Sequence, residues 1–132
     1  MRYLLSIYGD ETGWNDATPE QVGAIMDAYD EFGKKAQAAG VMLGGEGLQP
    51  TSAATTVRVR DGETLTTDGP FAETREQLGG YYLLECKDLD EAIRWAAQIP
   101  GAQEGSVEVR PVMDYEAMGA QDYSAQTEGA AH

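Results

Sequence analysis

Four charged side chains stand out as candidates for chemistry: Asp68, Glu73, Glu46 and Arg75. Asp68 opens the run Asp68-Gly69-Pro70-Phe71, a turn of unusual build. A turn aspartate normally accepts from the N–H two residues on. Here that position is Pro70, which has no N–H to give. The Asp68 carboxylate is left to accept from the Phe71 N–H, to pair with Arg75, or to point into a cleft beside Glu73. Two carboxylates held close can bring one of them towards neutral pH, where general acid–base work is efficient. In that reading Asp68 and Glu73 are acid and base. In the competing reading Asp68 is a structural corner, and Glu73 and Arg75 form a solvated ion pair in a polar connector.

Glu46 lies between Gly45 and Gly47 in an otherwise apolar run, where a charge should be partnered or functional. Tyr8 offers a phenol, and Trp14, in a polar loop, offers a lid. Core packing and a hydrophobic peg are the plainer roles of these two. Glu46, Arg75, Tyr8 and Trp14 are thus the candidate ligand-binding residues, while Glu108, Arg110 and Arg2 read as charges that pair with neighbours. One cysteine and one histidine, His132, cannot make a zinc-type ligand set within the chain. No EF-hand spacing supports a carboxylate cation site. The glycine-rich run GVMLGGEG opens no helix, so it is not a phosphate loop. Cys86 sits on a core-like strand and reads as an inert buried thiol. No metal or cofactor is expected.

The elements that must position these residues are legible in order. Residues 2–8 (RYLLSIY) alternate as a strand with apolar residues on both faces. Thr18-Pro19-Glu20-Gln21 is a capping-box helix start. Val22, Ile25, Met26, Tyr29, Phe32 and Ala36 then form one apolar stripe, closed at Gly40. Residues 41–50 are a strand loosened by three glycines, whose clustering predicts close approach of another backbone or a ligand. ATTVRVRDGETLTTDG is a hairpin turning at Asp61-Gly62, which sets Arg60 opposite Glu63 as a cross-strand ion pair. GGYYLLEC (79–86) is a strand. Asp88 caps a second helix whose expected buried side is Leu89, Ala92, Ile93, Ala96 and Ala97. Pro100-Gly101 ends that helix, and residues 106–112 make a last strand. Residues 114–132 have four acidic and no basic groups and read as a tail that cannot fold alone and is held by a neighbouring chain.

With 132 residues the chain is one domain, expected over 1–113 with the tail beyond. Nine Lys and Arg against 23 Asp and Glu give a net charge of −14, which disfavours nucleic acid and anionic membrane surfaces as partners. The N-terminal apolar run is too short for a signal peptide, and a single cysteine fits a reducing compartment. A cytoplasmic location is expected.

The order β-α-β, hairpin, β-α-β is that of a ferredoxin-like α+β fold with an antiparallel sheet. One sheet face would lie under the helices. The other would expose Leu, Tyr and Val from several strands, which a second copy of the chain would cover. A homodimer is expected. RYLLSIYGDE, GVMLGGEGLQP, TTVRVRDG, TDGPFAETREQLGGYYLLEC, DLDEAIRWAAQIP and GSVEVRPV together resemble the YCII-related family. Within it they resemble the subgroup marked by the motif Asp68-Gly69-Pro70-Phe71. The resemblance implies a dimeric α+β barrel. It also implies small-molecule binding, with a cofactor-independent isomerase or lyase as the enzymatic form. Its alternative is a non-catalytic, regulatory ligand-binding module partnered with an extracytoplasmic-function sigma factor. The His–Asp pair associated with the wider family has no counterpart here, because His132 is the sole histidine.

Overall fold

A computed structural model of the chain describes residues 1–119 of the 132. Strand β1 spans Arg2–Gly9, helix α1 Pro19–Ala38 and strand β2 Met42–Gly47. Strands β3 (Thr55–Arg60) and β4 (Glu63–Asp68) follow, then β5 (Gln77–Glu85), α2 (Leu89–Ala96), β6 (Ser106–Pro111) and a short α3 (Tyr115–Met118). Four strands form an antiparallel sheet in the order β2-β5-β1-β6. With one helix after β1 and one after β5, this is the expected α+β, ferredoxin-like arrangement. Strands β3 and β4 stand apart as a two-stranded sheet inserted between β2 and β5.

The local signals explain most of these elements. At Thr18 the side chain accepts from Gln21 N–H and the Gln21 side chain accepts from Thr18 N–H, so both halves of the capping box form. Gly40 ends α1 with φ +75°, a conformation natural to glycine. Asp88 accepts from Glu91 N–H to start α2. The core lies on one face of the sheet, where Tyr3, Leu5 and Leu84 meet Phe32 and Ala36 of α1, Ala92 and Ala96 of α2, and Ile99. Phe32 packs against Tyr82 at 4.8 Å and edge-on against Trp95 at 6.0 Å.

Of the three β2 glycines only Gly45 meets a close neighbour, and it is β5: a Cβ there would lie 2.8 Å from Tyr81 O and 2.6 Å from Tyr82 Cδ1, whereas Gly44 and Gly47 face open space. Two expectations about side-chain facing need correction. Met26, placed in the α1 stripe, is 61% exposed, because the contact line runs through Phe32 and Ala36. On α2 only Ala92 and Ala96 are buried. Leu89, Ile93 and Ala97 are exposed, because the small alanines meet the sheet while Trp95 reaches Phe32. Val107 and Val109 of β6 pack against the core, since they share the register face of Ile7 and Leu5.

The expected tail starts differently from a featureless segment: Asp114 accepts from Ala117 N–H and caps α3. Residues 120–132, with the expectation that a neighbouring chain holds them, lie outside the described residues. No helix among the described residues is long and apolar enough to cross a membrane.

Candidate functional site

The β3–β4 hairpin is built as its sequence dictates and ends at Asp68. Asp61 and Gly62 both take positive φ, at 53° and 79°, the signature of a tight two-residue turn. Arg60 does pair in register with Glu63, but its Nη1 donates to Val59 O at 3.0 Å, so the expected cross-strand ion pair does not form. An exposed guanidinium gains little from such a pair. At the other end, Gly69 N–H donates to Ala54 O at 2.7 Å, and the Thr56 hydroxyl donates to Gly69 O at 2.8 Å. Gly69 has φ +101°, open only to glycine at low cost. The corner between Asp68 and Pro70 is therefore made by Gly69, and the Asp68 side chain takes no part in it. Asp68 stands exposed, as does Glu73 in the connector beyond.

The face of the sheet opposite the helices is set by register. Glu46 of β2 stands opposite Tyr81 of β5, Tyr81 opposite Ser6 of β1, and Ser6 opposite Glu108 of β6. The next row is Gly44, Leu83, Leu4 and Arg110. Tyr8 continues β1 on this face beside Leu78. At about 4.8 Å between strands, the row from Glu46 to Glu108 spans roughly 14 Å. Its centre is the buried Ser6, flanked by half-buried Leu4, Tyr8, Tyr81 and Leu83. Arg110 Nη2 donates to Glu108 Oε1 at 2.5 Å, as the sequence expectation of a neighbour pair required. Glu46 is exposed and makes no hydrogen bond or ion pair among the described residues. Hydroxyls at the centre and carboxylates at the edges suit a ligand that brings hydrogen-bond donors.

A second polar group, which the sequence reading missed, fixes the sheet end nearest this row. Glu11 accepts from Thr51 N–H at 3.0 Å and from the Thr51 hydroxyl, across 40 residues of chain. Its own N–H donates to Gln77 Oε1 at 3.0 Å. Asp10 caps the 3-10 turn Glu11–Asp16 by accepting from Thr12. Those Thr12 hydrogen bonds, with a smaller contribution from the Arg75 charge, hold the Asp10 carboxyl below its ordinary value. Asp10-x-Thr12 is a local cap signal that could have been read, whereas Glu11–Thr51 leaves no trace in sequence spacing. Trp14 sits in this turn, half exposed.

Within the single chain, then, Asp68, Glu73, Glu46 and Arg75 are each exposed to solvent. Two surface hollows, of about 260 and 390 Å³, lie elsewhere. The first is lined by Met1, Arg2, Glu85, Val112 and Asp114, the second by residues of α1 and the segment after α2. Among the described residues no three His, Cys, Asp or Glu side chains gather to hold a metal. Cys86 is buried, and burial followed by the nearby Glu91 charge pushes its thiol up, away from the nucleophilic thiolate.

A sequence model of the YCII-related domain matches residues 1–116. An uncharacterised protein of Rhizobium meliloti (strain 1021) is 41% identical over 124 residues, covering 87% of this chain and 94% of that protein. Fold order, register and these two likenesses agree, and the chain belongs to the YCII-related family.

Proposed function

We propose that the chain works as a homodimer that binds a small, donor-bearing organic molecule between the helix-free faces of two sheets. The observation that carries this reading is the row Glu46–Tyr81–Ser6–Glu108, flanked by Leu4, Leu83 and Tyr8, on the face opposite α1 and α2, which no helix among the described residues covers. An apolar surface of this kind, dotted with a few convergent polar groups, is the usual lining of a ligand chamber. Water would otherwise lie against two leucines and two tyrosines. A second copy buries them and closes the space.

The edge carboxylates also sort the ligands. Glu46, which has no partner among the described residues, attracts hydroxyl and ammonium donors, while Glu108 is already paired with Arg110, so hydroxylated aromatics and amines fit the Glu46 end of this face. Binding is favoured over acid–base catalysis because Asp68 and Glu73, the proposed acid and base, both face solvent in the single chain.

A thermal-shift screen of small hydroxylated aromatics and amines, with organic acids for comparison, tests the reading. A ligand at about 100 times its Kd stabilises the native state by about 2.7 kcal/mol, a shift of several degrees. Glu46→Gln should reduce that shift while leaving the unliganded Tm near wild type. If no donor-bearing compound raises Tm, or if the shift survives Glu46→Gln together with Tyr81→Phe, the site is elsewhere.

A further inference from the structure

The larger surface hollow, of about 390 Å³, opens between α1 and the segment after α2, on the helix side of the sheet. Glu31, Phe32 and Lys35 of α1 stand on one wall, and Gln98, Pro100 and Gln103 on the other. Both walls are set without a ligand. Phe32 is 3% exposed and is held by Tyr82 and, edge-on, by Trp95. Pro100 opens a 3-10 turn, Pro100–Ala102, closed by Ala102 N–H on Ile99 O and by Gly105 N–H on Gly101 O, each at 2.9 Å. The volume lies within the roughly 300–1,000 Å³ of small-ligand pockets.

Charge is sorted along the α1 wall. Asp27, Asp30 and Glu31 come first along the helix, Lys34 and Lys35 after them. Glu31 and Lys35 have the spacing and order in which such side chains pair on an isolated helix. They make no ion pair here: among the described residues the ion pairs are those of Met1 with Glu85 and Arg110 with Glu108. In a chain of net charge −14 this lining therefore holds one free charge of each sign and is neutral as a whole.

We infer that the hollow binds a free α-amino acid with an apolar side chain. Its ammonium meets Glu31, its carboxylate meets Lys35, and its side chain lies against Phe32 and Pro100. An organic acid at Lys35 is opposed by the neighbouring Glu31, and an amine at Glu31 is opposed by Lys35. A zwitterion satisfies both. The amides of Gln98 and Gln103 can donate to its carboxylate or accept from its ammonium. This site is separate from the helix-free face and needs no second copy of the chain.

The test is isothermal titration calorimetry on the full-length Glu46→Gln chain, which removes the carboxylate of the helix-free face as an amine site. L-leucine is compared with 3-methylbutylamine and 4-methylpentanoic acid, which keep its alkyl body but lack the carboxylate or the ammonium. Leucine should bind saturably, and each fragment about tenfold more weakly, as loss of one charged hydrogen-bond partner predicts. Adding Lys35→Met should weaken leucine by a similar factor and leave 3-methylbutylamine unchanged. Adding Glu31→Gln should likewise weaken leucine and not 4-methylpentanoic acid. Both side chains are exposed, so circular dichroism of the variants should match wild type. No saturable binding of leucine, valine or phenylalanine overturns the site, as does leucine binding that survives Lys35→Met together with Glu31→Gln. Leucine binding seen in wild type and lost in Glu46→Gln alone also overturns it, and leaves the helix-free face as the ligand site.

Discussion

The helix-covered face of the sheet and the β3–β4 hairpin are written in similar residues and reach opposite ends. On the covered face Tyr3, Leu5 and Leu84 alternate with outward residues and are buried almost completely. On the hairpin Val57 and Val59 alternate just as cleanly, and both remain more than half exposed. Alternation specifies a strand and its two sides. It does not say what covers a side. On the sheet the cover is local, since α1 and α2 are tethered to β1 and β5 by short connections. On the hairpin and on the helix-free face the chain supplies no cover of its own among the described residues. The difference marks which apolar residues the described chain covers and which it leaves exposed.

The sharpest way to break that comparison is to truncate one residue in each region. Leu84→Ala opens a cavity under the helices and should cost about 3 kcal/mol in urea unfolding. Val59→Ala, measured on dilute single chains, should cost less than about 0.5 kcal/mol, as exposed positions do. Similar costs for the two would mean that the hairpin is packed within its own chain.

Smaller in effect is Gly69→Ala, which tests whether the corner at the hairpin's base is made by backbone. A side chain at φ +101° should cost about 1–2 kcal/mol. Asp68→Asn should be near neutral, because the Asp68 side chain makes no bond in the corner. Early unfolding of Asp68→Asn with a stable Gly69→Ala would reverse the roles assigned to the two residues.

How far these assignments were legible beforehand follows the same division. The capping box at Thr18, the Asp61-Gly62 turn and the strands each depend on contacts within a few residues, and sequence spacing records them. The family resemblance reached the fold through the same local segments. The side taken by the valines of β6 is not in their alternation, because only pairing with Leu5 and Ile7 settles it. Leu89 and Ile93 were misplaced because Ala92 and Ala96, small enough for close contact, rotate α2 about its axis. Glu11–Thr51 joins residues 40 apart and cannot be seen in spacing. Asp68, Glu73 and Glu46, grouped from sequence as one site, are each exposed in the single chain, and exposure is set by the surrounding fold and not by spacing.

The smallest expected effect is a pH dependence confined to the covered face. Burial pushes the Cys86 thiol above its ordinary 9.0, and the Tyr29 and Tyr82 phenols above 10.0. Folded-state values raised above the unfolded ones leave stability intact below pH 9.0, and it is lost as pH rises through the raised values. Tm should therefore fall gently from about pH 9 upward, starting with the thiol, and Cys86→Ser should remove the first part of the fall. A Tm that climbs over this range would contradict the burial of these groups.

The central claim, that the helix-free sheet face is where a second copy sits, is tested most directly by sedimentation equilibrium of wild type beside Leu83→Glu at micromolar concentration. Leu83 lies on that face, beside Leu4 and away from the core under the helices. Wild type should sediment at about twice the 14.2 kDa chain mass, and Leu83→Glu at the mass of one chain with unchanged circular dichroism. A wild type at 14.2 kDa, or a Leu83→Glu variant still at twice that mass, would contradict the account.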